Sequence, residues 1–314
     1  MIQPTLALNF ARTWRLGRRV SFSRSSTGVY TGYDGILKYA SINEPRFDYD
    51  ASGNSLGLLI EEQRTNLAKY SQDFENANWT KTNAGTGSAP IITANQAIAP
   101  DGTMTCTRIQ ADRGAGNTLG DYSLVNLTPV YGLPNPHPIT VSIWAKSTDG
   151  VSTQEINFSN VTSATGVSIT VTGELQRFSL SAGSVGIDSD ALKIGSRGTL
   201  NSTANVDILV WGAQLEAAAT PSSYIPTTSA AVTRTADSAE ISGDPFDSWI
   251  HTEGTLLAKY KNAGWLYNNT PPTDSLDLAK YIDDYSTTAA GDTIERIIFY
   301  PRTLTAAQRG RIML

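Results

Sequence analysis

The sequence predicts an all-β protein: an N-terminal hairpin module, an antiparallel jelly-roll-like β-sandwich and a small C-terminal strand-plus-helix unit. Three observations carry this. Runs such as ITVSIWA (139–145), VSITVT (167–172) and NVDILVW (205–211) alternate in side-chain character, the period-2 signature of half-buried strands. Gly, Asn and Asp separate the runs as turns do in a sandwich. Helical periodicity is nearly absent before the C-terminus.

Residues 1–70 form the first block, basic and hairpin-like. In PRFDYDASGNSLGLLIEEQRTNL (45–67), Asp48, Asp50, Ser52 and Gly53 stand at the spacing that opens a calcium loop. A loop starting at Asp48 needs a bidentate carboxylate at its twelfth position, which is Leu59; Glu61 and Glu62 come too late. RFDYD and LGLLIEE instead read as two strands around a turn at Ser52–Asn54, with no metal. Residues 71–228 are the Ser/Thr-rich sandwich, in which Ile139, Val141 and Ile143 share one face of a strand and Thr140, Ser142 and Trp144 the other. ELQRFSLS (174–181) adds a further strand. Residues 229–314 begin with a linker or crossing strand and end in PRTLTAAQRGRIML, where Thr305 and Gln308 form a capping box for a short helix.

Composition excludes several classes of function. Charged residues are 17% and apolar residues 40% of the 314, enough for a core and too apolar for a disordered chain. The net charge of −5 disfavours nucleic acid. One cysteine, Cys106, excludes an intrachain disulfide framework. His137 and His251 lie far apart, so no zinc enzyme is expected, and no cofactor. No apolar run is long enough for a membrane helix. The arginines follow the N-terminal apolar patch, the reverse of a secretory signal, so folding in a cytoplasm is expected.

An ordered series of blocks then carries a resemblance: FSRSSTGVY (22–30), PRFDYD (45–50), GLLIEEQRTNL (57–67), DFENANWTK (73–81), APDGTMT (99–105), ITVSIWAKS (139–147), WGAQLE (211–216), SSYIPTTSAAVTRTAD (222–237) and SWIHTEGTL (248–256). Over roughly residues 8–260 the chain resembles bacteriophage fibre and head-spike proteins that carry a carbohydrate-binding-module-like β-sandwich. The resemblance implies a virion component assembled in the host bacterial cytoplasm, often oligomeric and concerned with attachment. A homotrimer is expected, with other virion proteins and host surface glycan as partners. At the C-terminus IERIIFYPRTLTAAQ (294–308) resembles the end of a lectin-like jelly roll, but only 37 residues (257–293) precede it, which implies a truncated unit that packs on the sandwich or a neighbouring subunit.

Sugar binding by a β-sandwich needs aromatic platforms with polar neighbours. The glycan-binding candidates are Trp79 and Tyr122, in loop-like stretches, and Trp144, on the strand face opposite the aliphatic set. Trp211 and Tyr224 are further aromatics, with Trp211 read as structural. Arg12, Arg15, Arg18 and Arg19 are candidates for docking to another virion protein, within a basic run that also includes Arg24. No catalytic residue stands out: Glu61 and Glu62 point to opposite faces of a strand, and no partner carboxylate such as Asp207 is marked. A non-catalytic virion protein is therefore expected, with a polysaccharide depolymerase or a structural adaptor without sugar binding as alternatives.

Overall fold

The computed structural model describes residues 3–127, 137–160, 167–185, 192–242, 254–261, 264–269, 275–278 and 292–313. The chain divides into two units. A split unit joins residues 1–64 to 234–314, and a sandwich unit is the contiguous stretch 65–233.

The first part of the split unit contributes β1 (Leu6–Asn9), α1 (Phe10–Thr13), β2 (Ser21–Ser23), β3 (Gly28–Thr31), β4 (Leu37–Ala40), β5 (Arg46–Tyr49) and β6 (Ser55–Ile60). β5 and β6 are the antiparallel hairpin expected from the sequence. Its turn is built by Asp50, whose Oδ1 accepts the amides of Ser52 and Asn54 at 2.9 Å each. Asp48 is likewise engaged, accepting the Thr31 amide at 2.7 Å. Gly57, in the GLLIEE block, has φ +103°, and a Cβ there would meet the Ile294 carbonyl oxygen at 2.2 Å, so only glycine fits.

The chain then crosses through β7 (Arg64–Asn66) into the sandwich unit, which holds β8 (Trp79–Ala84), β9 (Ile91–Ala97), β10 (Cys106–Asp112), β11 (Tyr122–Leu127), β12 (His137–Ser147), β13 (Gln154–Asn160), β14 (Val167–Val171), β15 (Gln176–Val185), β16 (Leu192–Arg197) and β17 (Asn205–Glu216). They form two antiparallel five-stranded sheets, β15-β12-β17-β10-β9 and β14-β13-β16-β11-β8. Ile139, Val141 and Ile143 of β12 point into one apolar core, the face assigned to them from alternation, together with Ala145 and with Val206, Ile208 and Val210 of β17. Asn66 is fully buried and anchors the entry strand: its Nδ2 donates to the carbonyls of Ala213 and Ile225, and its Oδ1 accepts the amides of Ala68 and Leu215.

Beyond β18 (Val232–Arg234), the split unit is completed by β19 (Ser238–Ser242), β20 (Thr255–Tyr260), β21 (Gly264–Asn268), β22 (Ser275–Asp277), β23 (Asp292–Tyr300) and α2 (Ala306–Ile312). β6 and β1 both pair with β23, and β2 pairs with β19. Separate N-terminal and C-terminal modules were expected; the structure makes them one body. The C-terminal segment obtains its core from Leu6, Phe10, Leu58 and Ile60, packed with Leu256, Ile297 and Phe299. Helix α2 starts at the capping box read from the sequence: Thr305 Oγ1 accepts the Gln308 amide, and Gln308 Oε1 accepts that of Thr305.

Candidate functional site

None of the three sequence-chosen rings presents an open loop platform. Trp79 opens β8 and is 2% exposed; it packs on Phe74 at 4.6 Å between centroids and its Nε1 donates to the Tyr70 carbonyl. It fills the sandwich core and has no face for a sugar, so its selection is corrected. Tyr122 starts β11 and is half-buried, with the Arg197 guanidinium over its ring at 4.8 Å. Trp144 is half-buried, bracketed by the Arg177 guanidinium at 4.6 Å and the edge-on rings of Trp211 and Tyr224. Gly212, at φ +65°, makes this cluster fit, because a Cβ there would meet Trp144 Cε3 at 2.9 Å. Trp211 is fully buried, as its structural reading requires. His251 lies outside the described residues.

The quoted motif blocks converge instead inside the split unit. Arg24 from FSR, Arg46 from PRFD, Glu61 from GLLIEE, and Arg234 and Asp237 from TRTAD are all buried together. Arg46 donates to Glu61 Oε2 at 2.7 Å and to Asp237 Oδ2 at 2.5 Å. Arg24 donates to Asp237 Oδ1 at 3.0 Å, across 213 positions of chain. Arg234 approaches Glu61 Oε2 at 3.5 Å. Three guanidiniums thus share two carboxylates. Backbone carbonyls satisfy the excess charge: Arg24 also donates to Ser26, Ser41 and Glu44, Arg46 to Val29, and Arg234 to Glu62. Burial alone lowers the pKa of Arg46, but the Glu61 and Asp237 carboxylates outweigh it and raise it, keeping the cation. Arg24 therefore leaves the exposed basic run and becomes structural. Glu61 is committed to this cluster, Glu62 to Arg64, and Asp207 to Arg108 at 2.5 and 2.7 Å, so each carboxylate weighed for acid–base work already has a cationic partner.

Exposed rings gather elsewhere on the split unit, around a groove of about 850 Å³ lined by the end of α1, the segment after it and the β3–β4 and β5–β6 hairpins. Trp14 is 57% exposed. It caps α1 in the left-handed region and its Nε1 donates to the Ala11 carbonyl at 3.1 Å, which fixes the ring on the helix. Tyr33, 74% exposed, stands at the tip of the TGYDG turn, where Gly32 and Ile36 close the hairpin at 2.8 Å. It packs edge-on against Tyr49 at 6.5 Å. Tyr39, 50% exposed, also lines the groove, as do Arg15, Lys38 and Glu44. Rigid rings beside polar side chains can stack on C–H faces and take hydroxyls, and the volume falls in the ~300–1,000 Å³ range of small-ligand sites. Sequence reasoning missed this site. The available signal was an aromatic between turn glycines, in Gly32-Tyr33-Asp34-Gly35. The four arginines expected to dock are all exposed; Arg15 joins the groove, and Arg12 lines a smaller cavity with Lys259, Trp265 and Glu295.

No family model matches the chain, and no curated protein matches it. Among solved structures, the chain is similar to a CBM22 xylan-binding domain from Paenibacillus barcinonensis at 15% identity and TM-score 0.31, covering 50% of this chain and 94% of that one. It is similar to the enzymatically active domain of a bacteriophage CBA120 tailspike protein at 15% identity and TM-score 0.26, covering 46% of this chain and 20% of that one. An exo-β-1,3-galactanase from Phanerochaete chrysosporium matches at 10% identity and TM-score 0.28, covering 56% and 37%. Values this low assign neither family nor ligand.

Proposed function

We propose that the protein is a non-catalytic component of a phage virion, of fibre, spike or decoration type, that contacts host surface glycans through the groove of the split unit. The observation that carries the sugar-binding reading is the pair of exposed rings, Trp14 bonded to the Ala11 carbonyl and Tyr33 packed edge-on against Tyr49, beside polar groove residues. The virion reading is supported by the ordered motif series, four blocks of which supply one buried ion cluster. In this reading the chain is assembled in the bacterial cytoplasm as a homotrimer, and Arg12, Arg18 and Arg19 dock other virion proteins. The C-terminal segment finds its core within the chain, so the trimer rests on the fibre resemblance alone. One stacked ring contributes only about 0.5–1.5 kcal/mol beyond its burial, so single sites are weak and copies on a virion supply avidity.

Glycan-array binding combined with a reducing-sugar assay tests this. The expected result is binding that Trp14→Ala with Tyr33→Ala removes, and no new reducing ends. Release of reducing ends from any bound polysaccharide would overturn the non-catalytic assignment. Array binding untouched by the double substitution would overturn the groove.

A further inference from the structure

The groove has a charge character that narrows its ligand. No acidic residue precedes Asp34 in the chain, whereas Arg12, Arg15, Arg18, Arg19 and Arg24 do, although the whole protein carries −5. Arg24 is consumed in the buried ion cluster. Arg12, Arg15, Arg18 and Arg19 are exposed on the segment that supplies one wall of the groove.

Three charged side chains line the groove among the described residues, and two are already committed. Lys38 pairs with Asp34 at 2.8 Å, in the same hairpin. Glu44 uses its Oε2 to accept the Ser41 amide at 2.7 Å. Arg15 has no carboxylate or carbonyl partner for its guanidinium among the described residues. It follows directly on Trp14, whose ring is pinned to α1. An exposed guanidinium and an anchored indole lining one groove offer two different contacts: a planar fork for a carboxylate and a flat apolar face for the sugar ring that bears it.

We infer that the groove takes an acidic saccharide, one whose residues carry a carboxylate such as a uronate or a sialate, with Arg15 holding the carboxylate and Trp14 and Tyr33 stacking on the sugar faces. This rests on the groove being the glycan site proposed above, and it adds the charge class of the ligand and the role of Arg15. Arg15 is then a specificity residue rather than a virion-docking one. The exposed Arg18 on the same segment adds a long-range attraction that salt screens.

The test uses the full chain and a panel of uronate- and sialate-containing oligosaccharides, each paired with its carboxyl-reduced, neutral counterpart. Titration calorimetry at low salt is expected to show the acidic member of at least one pair bound about tenfold or more tightly than its neutral twin, as for a hydrogen-bonded charge. Arg15→Gln should erase that preference while leaving the melting temperature unchanged. Arg15→Lys should restore only part of it, because an ammonium keeps the charge and loses the bidentate fork. The preference should shrink between 50 and 500 mM salt, on the order expected from shortening the screening length. Equal affinity for acidic and neutral twins, or a preference that survives Arg15→Gln, would overturn the inference and leave the glycan reading standing. Absence of binding to every member, in a chain that is folded by circular dichroism, would overturn both.

Discussion

The two units differ in where they place their exposed rings and their clustered charges. The sandwich unit buries its large rings: Trp79 and Phe74 fill its core, and Trp211 and Tyr224 pack at 4.7 Å beside Trp144. Its Arg108–Asp207 pair stays partly exposed at the sheet surface. The split unit also buries rings, among them Phe10, Tyr260 and Phe299, but it buries three arginines with two carboxylates and leaves Trp14, Tyr33 and Tyr39 at the surface. Connectivity explains the buried charge. The sandwich unit is one contiguous stretch, although among its sheet neighbours just β9–β10 and β13–β14 are consecutive in the chain. The split unit must bring together segments separated by the whole sandwich, and five hydrogen-bonded charges specify that one arrangement. Buried ionic groups add little net stability, but leaving one unpaired is costly, so such a cluster penalises any other register. The rings of Trp14, Tyr33 and Tyr39 remain half or more exposed, which is why the contact surface is proposed for the split unit.

The largest expected effect breaks that cluster. Asp237→Ala removes the carboxylate that bridges Arg24 and Arg46 and accepts the Glu61 amide. Leaving two buried guanidiniums underpaired should cost about 3–5 kcal/mol. Hydrogen exchange is expected to rise in β5, β6 and β19 and much less in β12 and β17. A loss under about 1 kcal/mol would show that the cluster is not what joins the two segments.

Next in size is the contrast between tryptophans. Trp79→Ala should destabilise the sandwich by about 3–5 kcal/mol, as for a large ring removed from a packed core. Trp14→Ala should stay within about 0.5 kcal/mol, because the ring is mostly solvated. Chemical denaturation of both variants measures this, and similar losses would erase the distinction between the units.

Acid sharpens the comparison with smaller effects of opposite sign. In the sandwich unit, the Thr118 hydroxyl and the Thr86 amide hold Asp121 well below the usual carboxylate range. Ser152 does the same for Asp149, and Arg108 lowers Asp207. Their folded pKa values lie below the unfolded ones, so their contributions are present above about pH 3.9 and lost as pH falls through the folded values. In the split unit, burial raises Asp48. A raised carboxylate favours folding only while protonated, and that contribution disappears as pH rises through its folded pKa. Asp48→Asn should therefore raise the melting temperature at pH 7 and not at acid pH, whereas Asp121→Asn should lower it at pH 7. A loss of stability in Asp48→Asn at pH 7 would contradict the first sign.

Local structure was legible in the sequence where the signal was local. Alternation placed β12 and β17 and the core face of β12, and Thr305 with Gln308 marked the start of α2. The β5–β6 hairpin followed from its turn residues. The ion cluster was not legible, because each block contributes one or two charges and the pairing runs across as many as 213 positions. The blocks were recognisable as a series before their shared purpose was visible. Trp79 misled because ENANWTK is polar on both sides of the ring, as a loop would be, while the strand register carries that ring inward. The pairing of β6 and β1 with β23 also escaped the sequence, since nothing in a strand names its partner. The short helix α1 covers only four residues, too few for a helical period, and with it went the position of Trp14.

The glycan contact is proposed for the split unit and not for the sandwich. The most direct measurement compares two double variants, Trp14→Ala with Tyr33→Ala and Tyr122→Ala with Trp144→Ala, by affinity for a glycan the parent protein binds. The first is expected to lose about tenfold or more in affinity with nearly unchanged melting temperature, and the second to keep its affinity while melting lower. Retained binding in the first and lost binding in a folded second variant would contradict the account and move the site to the sandwich.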